Sequence, residues 1–148
     1  MTQSRVNRFA ERTVEPMLAL AGCMPAQRIL VAGAKSVEIV LDLQRRGFER
    51  AAATANCGSP ERQYDVALVD WRQRTFKAFE ATLDWLMDFL TPAAVVVVWL
   101  DPQKPAGMAN LRAALTQRGL RVDDGKLRED GCVVLARRAE MPPMSRAA

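Results

Sequence analysis

Polar residues that could take part in chemistry follow three apolar runs of strand length. Asp70 ends the run YDVALVD, Asp101 follows AAVVVVWL, and the segment Gly33–Ser36 follows RILVA. Because ligands of open α/β sheets bind beyond the carboxyl ends of the strands, we expect these residues to line one crevice. For Asp70, a functional role and the simple termination of a strand by a polar residue are equal alternatives, since a fold locates a crevice without proving that it is used.

The segment Gly33–Ser36 leads from a predicted strand into a predicted amphipathic helix. Lys35 and Ser36 at the helix start indicate an anion or nucleotide site, because helix N-terminal amides attract anions and a lysine adds charge. A Walker A loop is excluded, since Ala34 stands where that motif needs the glycine before its lysine. The favoured alternative is a plain helix N-terminus with Ser36 near the cap.

Two tryptophans, Trp71 and Trp99, lie at the same predicted strand ends, beside Asp101. An indole there could stack on an adenine or a substrate ring, but coverage of the core is the favoured interpretation, because no ligand-specific charge accompanies either residue. A basic cluster follows, and nucleic-acid binding would need a broader stripe with interleaved aromatic residues, so we expect a solvated helix start and no nucleic-acid partner. The cluster consists of Arg72, Arg74 and Lys77.

The composition excludes several classes of chemistry. The 148 residues include no histidine, which rules out Ser-His-Asp and Cys-His mechanisms and removes the commonest metal ligand. Cys23, Cys57 and Cys132 form no close pair, so we expect neither a disulfide framework nor a metal site, and a cytoplasmic location. The net charge of +4 is a mild field. No apolar run reaches transmembrane length, so no membrane association is expected.

The elements that would position these residues alternate between apolar runs and amphipathic segments. The predicted strands are Arg28–Ala34, Glu49–Ala55, Tyr64–Asp70 and Ala93–Leu100, and a last pair of extended runs turns at Asp130–Gly131. Helices are predicted after Gly33, over Arg74–Leu90 with a stop at Thr91–Pro92, and over Met108–Arg118 after a loop at Asp101–Gly107. The pattern predicts an α/β fold: a doubly wound, mostly parallel sheet of about six strands, with helices on both faces and a C-terminal antiparallel hairpin.

Three segments are predicted along the chain. Residues 1–24 form an N-terminal helical segment packed on the domain, residues 25–139 form the α/β domain, and residues 140–148 form a flexible tail. The apolar side of the N-terminal segment is interpreted as core or as the seam of a homodimer.

The order of elements resembles a compact class I S-adenosylmethionine-dependent methyltransferase, which has a Rossmann-like fold. MPAQRILVAGA resembles the lead-in and first motif of that family, YDVALVD its fourth strand, DFLTPAAVVVVWLDP its fifth-strand passage, and RGLRVDDGKLREDGCVVLARR its closing hairpin. The similarity spans Pro25 to Arg138. It implies a cofactor or substrate site, whose members are Gly33, Ala34, Lys35, Ser36, Asn56, Asp70, Trp71 and Asp101.

The sequence departs from the family at the cofactor motifs. The glycine-rich loop is Gly33–Val37 here, and its side chains would crowd the methionine part of the cofactor. Asn56 stands where the family has the acid that binds the ribose. The segment between Asn56 and Tyr64 is too short for the third strand of the family. The first hypothesis is therefore an eroded site with no cofactor, in a binding or assembly module for a protein or small molecule. The alternative is an active methyltransferase that uses S-adenosylmethionine through an atypical loop.

Overall fold

The carboxyl-terminal edge of a six-stranded sheet brings the candidate residues together. The computed structural model describes residues 14–33, 35–54, 62–72, 74–128 and 131–138. Its strands are β1 (Ile29–Gly33), β2 (Ala51–Ala53), β3 (Tyr64–Asp70), β4 (Leu90–Leu100), β5 (Leu120–Arg128) and β6 (Gly131–Arg138). Their order in the sheet is β2-β1-β3-β4-β6-β5. The first four strands are parallel, whereas β6 is antiparallel to β4 and to β5, so the predicted mixed sheet with a closing hairpin is confirmed.

Helices cover both faces of the sheet, as the amphipathic patterns predict. Residues 14–21 are helical (α1), and the other helices are α2 (Ser36–Arg45), α3 (Phe76–Met87) and α4 (Pro105–Gln117). Val14 and Met17 of α1 pack with the buried side of α2 on one face, which we call the α2 face. The apolar stripes of α3 and α4 pack on the opposite face, which we call the α3 face. In the described part of the chain, no helix has the length and apolar content needed to span a bilayer.

Two helix boundaries predicted from proline and glycine are wrong. The third helix ends at Met87, and Thr91 and Pro92 lie inside β4 instead of stopping the helix. The register of β4 against β3 shifts between the Leu90 and Val95 pairings, so Pro92 lies in an irregular stretch where a missing backbone N–H is tolerated. The fourth helix begins at Pro105, because a proline is well suited to the first helical turn, where its absent N–H would have no helical partner.

Gly33 ends β1 in a position that no other residue type fits. Its φ of +100° is strained for any side chain, and a Cβ atom added there would lie 2.1 Å from the carbonyl oxygen of Asp70. Asp70 is the register partner of Gly33 on β3. The glycine is therefore required for the close approach of two strand backbones, independently of any ligand.

Gly33→Ala should lower the free energy of unfolding by about 3 kcal/mol or more, because the new methyl group adds a backbone clash to the strain of a positive φ. Gly47→Ala is the matched control: its φ is +99°, but a Cβ atom there meets nothing within 4 Å. The control should lose only about 1 kcal/mol in urea denaturation. Equal losses in the two variants would contradict the assigned role of the Asp70 carbonyl.

Candidate functional site

Two predicted site residues, Gly33 and Asp70, lie in one cross-strand row with Trp99 at the carboxyl ends of β1, β3 and β4. Gly33 is in register with Asp70, and Asp70 is in register with Trp99. The backbone N–H of Trp71 donates to the carbonyl oxygen of Trp99 over 2.7 Å and fixes the two strand ends to each other. The row therefore has a rigid backbone, onto which side chains of the following loop can pack.

Asp70 is held by a residue of its own loop. It is 3% exposed, and the Arg72 guanidinium binds it through two hydrogen bonds, Nε to Oδ1 and Nη2 to Oδ2, each 2.9 Å long. The same guanidinium stacks on the Trp99 indole, with its central carbon 3.9 Å from the ring centroid. A two-point ion pair of this kind satisfies both carboxylate oxygens and is stronger than a neutral hydrogen bond. Asp70 thus faces Arg72 at the strand ends, and a ligand would have to displace that arginine to reach it.

The opposite, α3 face of the same strand ends carries a cleft of about 470 Å³. Strands β1 and β2 form one wall, and the β3–α3 loop and α3 form the other. The cleft is lined by Ala32, Gly33, Thr54, Trp71, Arg74, Ala81, Thr82 and Trp85. Neighbouring residues of a strand point to opposite faces, so Asp70 and Trp71 belong to different sides of the sheet.

Trp71 forms the floor of this α3 cleft and is fixed on two sides. Its indole N–H donates to the carbonyl oxygen of Thr75 over 2.9 Å, and its ring lies 6.0 Å from that of Phe79, centroid to centroid. The Arg74 guanidinium covers the indole at 4.9 Å from the ring centroid. Thr75 also caps α3 by accepting a hydrogen bond from the N–H of Ala78. The loop therefore presents Arg74 on a rigid support.

The start of α2 has Ser36 next to the cap residue, as the favoured interpretation of a plain helix N-terminus expects. Lys35 is the N-cap residue, in a left-handed conformation with φ of 56°, and its side chain makes no capping hydrogen bond. Ser36 is the first helical residue rather than the cap. A side chain in this conformation costs about 1 kcal/mol relative to glycine.

The described cysteines are not poised as nucleophiles. Burial raises the pKa of the Cys23 thiol to about 11 and also raises the pKa of Cys132. Cys132 packs with its sulfur 4.0 Å from the sulfur of Met108. Within the described residues, no group of three Cys, Asp or Glu side chains could hold a metal ion.

The sequence located the crevice but not the contacts within it. Ala34 and Asn56 lie outside the described residues, and Asp101 follows β4 with a half-buried side chain. Trp71 and Trp99 are both buried, on opposite faces, in agreement with the favoured core interpretation. Arg74 was interpreted as part of a solvated helix start, and Trp85 was not identified as a candidate site residue. The available signal for Trp85 was a large aromatic residue outside the apolar stripe of its helix.

Solved structures similar to this chain are methyltransferases. A SAM-dependent methyltransferase from Aquifex aeolicus superposes with a TM-score of 0.65 at 13% identity, covering 92% of this chain and 98% of that one. The 1,6-didemethyltoxoflavin-N1-methyltransferase of Burkholderia thailandensis, solved with S-adenosylhomocysteine, superposes with a TM-score of 0.61 at 14% identity. The match covers 94% of this chain and 84% of that one.

A third similar structure comes from a complex between the Haloferax volcanii Trm112 methyltransferase activator and a methyltransferase. It gives a TM-score of 0.63 at 9% identity and covers 91% of this chain and 96% of that one. No family model and no curated protein matches the sequence. At these identities the similarity shows the fold, which is that of the class I methyltransferases.

Arg72→Met should lower the free energy of unfolding by about 3–5 kcal/mol, because it leaves the Asp70 carboxylate buried without its ion partner. The double variant Asp70→Asn/Arg72→Met should recover a large part of that loss, since no buried charge remains. Urea denaturation of the wild type, both single variants and the double variant measures the coupling. An unchanged loss in the double variant would show that Arg72 acts through packing on Trp99 alone.

Cys23 should react slowly with iodoacetamide in the folded protein. At pH 8, a pKa of about 11 instead of 9.0 reduces the thiolate fraction about 100-fold. Mass spectrometry of peptides after alkylation, with and without urea, gives the rate at each cysteine. Equal rates at Cys23 in the folded and unfolded chain would contradict the assigned burial.

Proposed function

We propose that this chain is a non-catalytic binding or assembly module built on a methyltransferase-like fold, with an eroded S-adenosylmethionine site. The observation that carries the proposal is the ion pair between Arg72 and Asp70. At the strand end where a ligand would be expected to meet a carboxylate, the chain supplies its own cation. The stack of Arg72 on Trp99 stabilises this arrangement further, because a cation over a desolvated indole gains about 2 kcal/mol.

The residues at the strand ends do not fit S-adenosylmethionine. Gly33 lies against the Asp70 carbonyl, so its lack of a side chain is already used by strand packing. Lys35 places a long side chain at the start of α2, and Asn56 stands where the resemblance calls for the ribose-binding acid. A neutral amide cannot provide the charge-assisted pair of hydrogen bonds that a carboxylate gives to two ribose hydroxyls. We therefore assign no catalytic step to this cofactor.

A module of this kind acts through what it binds. One similar structure belongs to a complex between a methyltransferase and an activator protein, which supports a protein partner for this fold. The cleft on the α3 face supports a small-molecule ligand. A cytoplasmic location and a homodimer formed through the N-terminal segment remain part of the proposal.

The alternative function is an active methyltransferase that uses S-adenosylmethionine with an atypical loop. The fold shared with a methyltransferase solved with S-adenosylhomocysteine favours it. In that case Gly33, Asn56, Asp70 and Asp101 would surround the cofactor or the substrate, and Arg72 would have to leave Asp70 on binding.

Isothermal titration calorimetry with S-adenosylhomocysteine should detect no binding to the wild-type chain at millimolar ligand, because the Asp70 carboxylate is neutralised and the loop is crowded. Micromolar binding would refute the proposal.

Two carboxylate variants would then locate such binding. Asp70→Asn removes the acid at the strand end, whereas Asp123→Asn removes one that pairs with Arg121 and Arg137 on the C-terminal hairpin. Binding that is lost only in Asp70→Asn would place the cofactor at the strand ends, as the alternative requires.

A further inference from the structure

The cleft on the α3 face extends beyond the strand ends. Ala32, Gly33 and Thr54 line the part of the cleft at the strand ends. Ala81, Thr82 and Trp85 line the part that follows the second and third turns of α3. Its volume of about 470 Å³ lies within the range of about 300–1,000 Å³ that small-molecule sites occupy. The cleft is therefore large enough for a molecule of one or two rings, lying along the helix and not across the strand ends.

An exposed aromatic surface lines this cleft. Trp85 is 40% exposed, and its ring packs on that of Phe89 with 4.3 Å between the centroids. A large apolar side chain held at the surface by a buried neighbour offers contact area at little cost in conformational entropy. The indole of Trp85 can thus stack on a planar ligand without first having to be ordered.

The positive charge of Arg74 lies at the same cleft. Among the described residues, Arg74 has no carboxylate partner, and its guanidinium stacks on the Trp71 ring. Arg46, Arg72, Arg118 and Arg137, in contrast, are each paired with an acid. An arginine on a rigid aromatic support is preorganised to bind a carboxylate or phosphate through two hydrogen bonds.

Three described carboxylates of β3 and α3 are paired with arginines outside the cleft lining. Asp84 and Glu80 of α3 both pair with Arg118, at 2.6 Å and 3.5 Å, on the side of the helix that faces α4. The hydrogen bond from Arg118 lowers the pKa of Asp84, so that this ion pair persists at neutral pH. Asp70 is paired with Arg72 on the opposite face of the sheet. Among the described residues that line the cleft, the charged side chain is that of Arg74, which favours an anion and disfavours a cationic molecule.

The geometry points to a small planar aromatic anion, an aromatic carboxylate in the simplest case, as the ligand of this cleft. Its ring stacks on Trp85, its charged group pairs with Arg74, and Thr54 and Thr82 line the remaining wall. The inference rests on the proposed binding role, and it supplies the chemical class of the ligand. S-adenosylmethionine does not meet these requirements, because its sulfonium places a positive charge in the ligand.

Titration of the full chain with 2-naphthoate tests the site. Three related probes separate the contributions: 2-naphthoate has ring and anion, 2-naphthylmethylammonium has ring and cation, and cyclohexanecarboxylate has the anion without an aromatic ring. Calorimetry should give binding of 2-naphthoate at least about tenfold tighter than of either other probe, because each lacks one interaction worth about 1.4 kcal/mol. Equal affinity for the naphthoate and the ammonium would overturn the role of Arg74.

The three tryptophans allow the site to be located by NMR. Their indole N–H groups give separate signals in a ¹⁵N-labelled chain, and 2-naphthoate should shift those of Trp71 and Trp85 while leaving Trp99, on the α2 face, unchanged. A shift confined to Trp99 would place the ligand on the wrong face and overturn the assignment.

Variants then test each contact. Arg74→Gln should weaken 2-naphthoate about tenfold through loss of the charge-assisted hydrogen bonds, and Trp85→Leu should weaken it by a similar factor through loss of stacking. Lys77→Gln is the matched control: it removes an exposed positive charge from the first turn of α3, outside the cleft lining, and should change the affinity by less than about twofold. Equal effects of Arg74→Gln and Lys77→Gln would show that 2-naphthoate responds to the positive charge of this surface in general, and would overturn the assigned contact with Arg74.

Arg74 is exposed, so its variant should remain folded even if Trp85→Leu does not. Failure of 2-naphthoate to bind would overturn this inference and leave the S-adenosylhomocysteine result unaffected.

Discussion

The buried charge of Asp70 determines how the strand ends of this protein can be built. A carboxylate removed from water must be paired and hydrogen-bonded, or its burial costs several kcal/mol. Arg72 provides that pairing from two residues away, and Trp99 provides the flat apolar surface on which the guanidinium lies. Gly33 allows the neighbouring strand to approach the Asp70 backbone closely enough for the row to form. One electrostatic requirement therefore connects three strands at the edge where a ligand would bind.

This arrangement divides the strand ends into two chemically different sides. On the α2 face, Asp70 is paired with Arg72 within the chain, so its carboxylate is not available to a ligand. On the α3 face, Arg74 retains its charge beside the exposed ring of Trp85. A fold that is usually associated with methyl transfer thus carries, on its α3 side, the features of an anion-binding cleft. The fold itself does not decide between the two uses, because function depends on the residues of the site.

Much of the architecture was predicted from local pattern. Apolar runs located β1, β3 and β4, and the turn before Gly131 located the closing hairpin. The two wrong helix boundaries were both predicted from the local sequence around a single proline. Pro92 was expected to end a helix but lies in an irregular part of β4, and Pro105 was assigned to a loop but begins α4. At Pro92, strand pairing outweighed the local preference of the residue, whereas Pro105 follows the preference of proline for the first turn of a helix.

The sequence by itself determined the α/β class, the order of the elements and the edge of the sheet at which Asp70 and Trp99 lie, because these follow from the period of apolar residues along the chain. Only the tertiary structure decided that Asp70 pairs with Arg72 and that Trp85 and Arg74 share a cleft. The reason is geometric. Which side chains meet depends on the register between strands and on the rotation of each helix over the sheet, and both are fixed by packing between segments distant in sequence.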